Sequence, residues 1–153
     1  MNRTQLRFLL IGGAIAGALD ILFAICFAMW RGSTPERLLQ AVASGAFGRP
    51  AFEGGMAMAA WGLALHFILS FIWTGLFFFA ATRKPVIVHR RPYLTAILFG
   101  ILVFFVMRLV VLPLSAFPFP VKFQALGWGA DLLSHMFLFA MPIVWATRKA
   151  LRT

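Results

Sequence analysis

FLLIGGAIAGALDILFAICFAMW, running from Phe8 to Trp30, is an apolar stretch of 23 residues broken by one charge, Asp20. As a helix rising 1.5 Å per residue it is long enough to cross a hydrocarbon core that needs about 20 apolar residues. Arg3 and Arg7 precede it, and Ala14-Ile15-Ala16 faintly resembles a signal-peptidase site. Because apolar residues resume after Asp20 and continue to Trp30, the segment reads as a retained span rather than a cleaved leader.

Three more stretches meet the same length test, giving spans at about 8–30, 54–82, 93–114 and 123–147. The chain of 153 residues therefore reads as one all-α transmembrane domain, a four-helix bundle. Composition agrees: 62% of residues are hydrophobic and the mean hydropathy is +0.92, far outside the soluble range. The one sizeable connection, Arg31 to Glu53, contains Ser33-Thr34-Pro35-Glu36, a hydroxyl cap followed by proline and an acid. That signal starts a short helix at about 35–44. Leu38, Leu39, Val42 and Phe47 give it an apolar face, which predicts a helix lying in the membrane interface or capping the bundle.

The net charge of +10 would point to nucleic acid in a soluble protein, but here the basic residues cluster at helix ends. They read as topology signals and contacts for lipid headgroups, with no nucleic-acid partner. Arg3, Arg7, Arg83, Lys84, Arg90, Arg91, Arg148, Lys149 and Arg152 fall on one side; Arg31, Arg37, Arg49 and Lys122 fall on the other, with Glu36 and Glu53. The excess predicts both termini and the middle loop in the cytoplasm. Trp30, Trp61 and Trp128 then lie toward the outer interface, Trp145 and Tyr93 toward the inner one. Ala81-Thr82-Arg83-Lys84 and Ala146-Thr147-Arg148-Lys149 end spans two and four alike, a slight internal echo.

Counting from each span's cytoplasmic basic residue assigns depths to the polar groups inside. Asp20, Ser70 and His135 each lie 13 positions out, or about 20 Å at helical rise. His66, Arg108 and Asp131 lie 17 positions out, about 26 Å. Helical spacing gives the facing. Gly62, His66, Ser70 and Thr74 form one stripe on span two, while Asp131, Ser134 and His135 share a face on span four. Gly13 and Gly17 set a GxxxG face on span one, with Asp20 three residues on. Gly13, Gly17 and Gly62 are thus candidate helix-packing positions, and Gly13/Gly17 is also a candidate contact between copies in a homo-oligomer. Pro113, Pro118 and Pro120 make the outer exit of span three irregular, which predicts an outward vestibule lidded by the 35–44 helix.

An unpaired charge at the bilayer centre costs about 2.5 to 3.5 kcal/mol on insertion scales, so pairing is expected. Arg108 with Asp131 is the candidate buried ion pair, with His66 beside it. Asp20 with His135, and Ser70 nearby, is a set able to share a proton or hold a cation, or to act as a helix-helix hydrogen bond. Asp131 and His135, four apart, also suit one divalent metal with His66 or Asp20 as a third ligand. A bis-His haem between His66 and His135 is a further reading, opposed by their offset of one turn. Cys26 is the only cysteine, which rules out an internal disulfide, a multi-cysteine metal site and a CxxC redox centre. His89 lies in the basic loop as a solvated side chain.

No catalytic nucleophile, nucleotide loop or cofactor fingerprint is visible, which points away from an enzyme. Three classes remain: a transporter, channel or transport accessory for protons, a cation or a small solute, acting through Asp20, His66, Ser70, Asp131 and His135; a non-catalytic scaffold or assembly factor with a membrane-protein partner; and a haem or metal protein. Ala16-Gly17-Ala18-Leu19-Asp20-Ile21, Leu39-Gln40-Ala41-Val42-Ala43-Ser44-Gly45, Ala51-Phe52-Glu53-Gly54-Gly55, Leu65-His66-Phe67, Val110-Val111-Leu112-Pro113-Leu114-Ser115 and His135-Met136 together resemble a family of short, uncharacterised bacterial inner-membrane proteins. The resemblance spans most of the chain. It implies four helices in a bacterial inner membrane and assigns no residue a role.

Overall fold

The computed structural model describes residues 1–152. It is 84% helix, and no strand occurs among the described residues. The helices are α1 (Arg3–Trp30), α2 (Pro35–Phe47), α3 (Gly55–Arg83), α4 (Val86–Arg90), α5 (Pro92–Leu114) and α6 (Ala125–Ala150). Four of them, α1, α3, α5 and α6, are long and apolar enough to cross a membrane, so the chain is a multi-pass helical membrane protein.

Local chemistry sets the ends. Asn2 accepts a hydrogen bond from the Gln5 amide at 2.8 Å while Gln5 Oε1 accepts from the Asn2 amide at 3.0 Å, a reciprocal cap that starts α1. Thr34 Oγ1 accepts from the Arg37 amide at 3.1 Å and Pro35 occupies the first turn of α2. At the far end of α2, Gly48 adopts a φ of 67° and returns its amide to the Ser44 carbonyl, a turn that a Cβ would strain.

The bundle is built with small residues inside and large apolar ones outside. Ala16, Ala81, Ala96, Ala140 and Ala146 are fully buried, whereas Leu22, Leu76, Phe79, Leu98, Leu102 and Leu109 are exposed. In water that surface would aggregate; in lipid the outer side chains meet a solvent as apolar as themselves, and close backbone approach holds the helices. α1 packs on α3 and on the second half of α6, and α5 packs on α6. A Cβ on Gly12 would overlap Ala146, and one on Gly100 would overlap the backbone of His135 and Met136. Gly13 and Gly17 meet Phe71, Thr74, Phe67 and Ser70 of α3. The glycine face read as a contact between copies is therefore spent within the chain.

One half of the bundle, toward the ends carrying both termini, is a closed apolar core. Phe77, Phe99, Val103, Phe139, Ile143 and Val144 are buried there together, and the Phe77 and Phe99 rings lie 4.5 Å apart. The opposite half is opened by α2, which lies along α3. A Cβ on Gly62 would overlap the Leu39 carbonyl, Gln40 Nε2 donates to the Gly55 carbonyl at 3.2 Å, and the Ala116 amide donates to the Gly45 carbonyl at 2.9 Å. α2 ends at Phe47, three residues beyond its expected end, and its most buried residues are Gln40, Ala43 and Ser44 rather than the apolar set Leu38, Leu39, Val42 and Phe47. Small side chains win that face because α3 approaches at Gly62.

Candidate functional site

Two wide turns aim the polar groups. α5 becomes π-helical over Met107–Val111, where the Leu112 amide reaches back to the Met107 carbonyl; α6 does so over His135–Phe139, where the Ala140 amide reaches the His135 carbonyl. Each π segment stands just before a proline, Pro113 and Pro142. A proline ring crowds the carbonyl four residues back and supplies no N–H, and a widened turn ahead of it relieves that conflict. The first π turn carries Arg108 and the second begins with His135. Sequence periodicity at 3.6 residues per turn does not register such turns; the two prolines are the only trace they leave.

Arg108 donates to one carboxylate oxygen of Asp131 twice, from Nε at 3.0 Å and from Nη2 at 2.6 Å. The pair is half-buried, each side chain keeping about 30% exposure. Asp131 Oδ1 lies 3.3 Å from His135 Nδ1, which also stands 2.9 Å from the Asp131 carbonyl. A carbonyl only accepts, so Nδ1 carries the proton in this bond. Asp20 Oδ1 is 3.9 Å from the same Nδ1 and accepts a 2.6 Å hydrogen bond from Ser134 Oγ. Arg108, Asp131, His135 and Asp20 thus form one continuous series across α5, α6 and α1, which joins the level of Arg108 and Asp131 to that of His135 and Asp20.

The remaining candidates border the same space but bond elsewhere. His66 Nε2 donates to the Gly17 carbonyl at 2.9 Å, while its side chain lines one cavity with Arg108 and Asp131. Ser70 Oγ donates to the Gly13 carbonyl at 2.8 Å rather than to Asp20. The residue that does hold Asp20 is Ser134, whose position on the Asp131 and His135 face was visible from spacing but whose partner was not. Among the described residues no three His, Cys, Asp or Glu side chains gather as a metal ion would require, so Asp131 and His135 lack a third ligand here.

The series borders a cavity of about 510 Å³ between α3 and α5 beneath α2. Leu38 and Val42 of α2, Leu65 and Leu69 of α3, and Phe104 and Met107 of α5 line its walls; Asp20, His66, Arg108, Asp131 and His135 are its ionisable groups. A small extension of about 60 Å³ runs deeper past Ser70 and Trp73 and ends at Phe139 and Val103 of the closed core. Two further hollows, of about 400 and 430 Å³, lie on the α2 side and meet the first at Arg108. One includes Arg31 and Gln124, the other Lys122 and Trp128.

Comparison of the chain with protein-family models, with curated proteins and with solved structures finds no match.

Proposed function

We propose that this chain is a small bacterial inner-membrane transport protein or transport accessory. It has both termini and the 83–92 connection in the cytoplasm, and it takes up a proton, a cation or a small solute in a cavity facing outward. The orientation rests on the nine basic residues at the core-sealed end against four at the α2 end. The likeness of the quoted segments to short bacterial inner-membrane proteins supports the same location.

The observation that carries the reading is the asymmetry of the bundle. A cavity of about 510 Å³ reaches Asp20 and His135 from the α2 side, and the opposite half is packed shut by Phe77, Phe99, Phe139 and Val144. A polar series open to one side and sealed from the other is one of the two states that alternating access requires. Crossing the membrane then calls for a second arrangement in which that core parts. A protein of this size would do so as a homo-oligomer or beside a membrane-protein partner, using its exposed apolar faces because Gly13 and Gly17 are already occupied.

Reconstituted protein should move protons, a monovalent cation or a small solute across proteoliposomes, and Asp20→Asn and His135→Ala should reduce that flux at least ten-fold. An asparagine amide oxygen at that position still accepts the Ser134 hydrogen bond, so the fold survives and the charge alone is tested. Unchanged flux in both variants sinks the assignment at this site.

A scaffold or assembly role is favoured by one set of contacts: Ser134 to Asp20, Ser70 to Gly13 and His66 to Gly17 each tie two helices together. Under that reading Asp20→Asn leaves every function intact while Ser134→Ala and Ser70→Ala weaken assembly with the partner.

A further inference from the structure

The guanidinium of Arg108 is only partly used. Nε and Nη2 share the single oxygen Asp131 Oδ2, and Nη1 donates to nothing among the described residues. The same is true of Lys122 Nζ in the adjoining hollow and of the Arg31 guanidinium in the other. Arg108 is the one residue common to all three hollows at the α2 end. Facing it from α1 and α6 are Asp20, whose Oδ1 accepts from Ser134, and Asp131, whose Oδ2 accepts from Arg108. The spare donor at the α2 end is Arg108 Nη1, with Arg31 and Lys122 adding positive charge in the adjoining hollows.

Most of the cavity's remaining wall is apolar. From Arg108 its walls run along Leu38, Val42, Leu65, Leu69, Phe104 and Met107, and at about 510 Å³ it falls within the roughly 300–1,000 Å³ typical of small-molecule sites. Aromatic rings frame the cation itself: Phe104 and Trp128 lie 5.9 and 5.7 Å from the guanidinium carbon. With Nε and Nη2 on Asp131, the outer Nη1 edge is left to an anion.

We infer that the cavity binds a single-chain anionic amphiphile, a carboxylate or phosphate monoester on Arg108 with its apolar body lodged between α2, α3 and α5. This rests on the proposed role of the cavity as a solute site and names the class of solute. The apolar body gains by leaving water for the walls, and the head group replaces its hydration with charge-assisted hydrogen bonds, so neither half binds well alone.

The test is equilibrium binding of radiolabelled decanoate and decyl phosphate to the whole protein in nanodiscs of zwitterionic lipid, scored against empty discs, with decanol as the neutral control. Saturable binding of one acid per chain is expected, at least ten-fold tighter than decanol. Arg108→Gln should remove that preference, and Val42→Trp should abolish binding by filling the cavity from α2 without touching the ion pair. Equal binding of decanol and decanoate overturns the inference, as does full binding by the Val42→Trp protein. Loss of decanoate binding when phosphatidylglycerol replaces part of the zwitterionic lipid also overturns it, because the occupant is then a bilayer lipid headgroup. Binding without any flux in proteoliposomes leaves this inference standing and removes the transport reading; flux of protons or a cation without decanoate binding does the reverse.

Discussion

Arg108 and Asp131 meet through one oxygen only: both guanidinium donors fall on Oδ2, at 3.0 and 2.6 Å, while Oδ1 turns toward His135 at 3.3 Å. The carboxylate thereby joins α5 to the second π turn of α6. Removing its charge leaves a cation half-buried among aromatic rings, so Asp131→Asn should destabilise the protein by about 2 kcal/mol, less than the roughly 3–5 of a fully buried pair. Arg108→Gln combined with Asp131→Asn should cost less than the sum of the single changes, with a coupling of about 1–2 kcal/mol. Reversible unfolding in mixed micelles measures the cycle; strict additivity would mean that the pair contributes nothing to the fold.

Gly100 and Gly75 make a matched comparison. A Cβ at Gly100 meets the His135 and Met136 backbone, whereas one at Gly75 meets nothing within 4 Å. Gly100→Ala should force α5 off the π turn of α6 at a cost of about 1–3 kcal/mol. Gly75→Ala should be neutral or stabilising by up to about 1 kcal/mol, since alanine is the better helix former. Melting temperatures of the two purified variants that move together would contradict the close approach.

Two serines separate hydrogen bonds by what they leave behind. Ser134→Ala strips the hydroxyl from Asp20 Oδ1 inside the bundle and should cost about 1–2 kcal/mol. Ser70→Ala removes a bond to a backbone carbonyl that α1 already uses within its own helix, and should cost about 0.6 kcal/mol, the usual interhelical value. Unfolding free energies in the reverse order would show that Asp20 finds another donor.

Topology follows from charge. A fluorescent-protein fusion at the C-terminus should glow in bacterial cells, and alkaline phosphatase inserted after Gly48 should be active. Replacing Arg83, Lys84, Arg90 and Arg91 by glutamine should erode that orientation, because the charge excess beside the central pair of spans is lost. An active phosphatase at the C-terminus would reverse the assignment of the cavity's mouth.

The four spans were legible at once, because length and apolarity are properties of consecutive residues and a bilayer imposes one minimum length on them all. Helix starts were equally local: Thr34 and Pro35 announced α2, and the cap forms as that chemistry dictates. In the stripe of Gly62, His66, Ser70 and Thr74, Gly62, Ser70 and Thr74 are buried and His66 is half-buried. Its members nevertheless serve different neighbours, Gly62 meeting α2 while Ser70 and Thr74 meet α1. Depth counting brought Arg108, Asp131 and His66 to one level, and the three line one cavity, but it could not show that His66 bonds to the Gly17 carbonyl.

Residue order alone is enough to define what each span is made of and that it is long enough to cross a bilayer. Partner choice came from the packed bundle: that Ser134 rather than Ser70 holds Asp20, that Gly13 and Gly17 are filled by α3, and that Arg108 borders three hollows at once. Such contacts join residues far apart in the chain, so they depend on how whole helices pack; in α5 and α6 a widened turn also shifts the register of everything beyond it by a fraction of a turn.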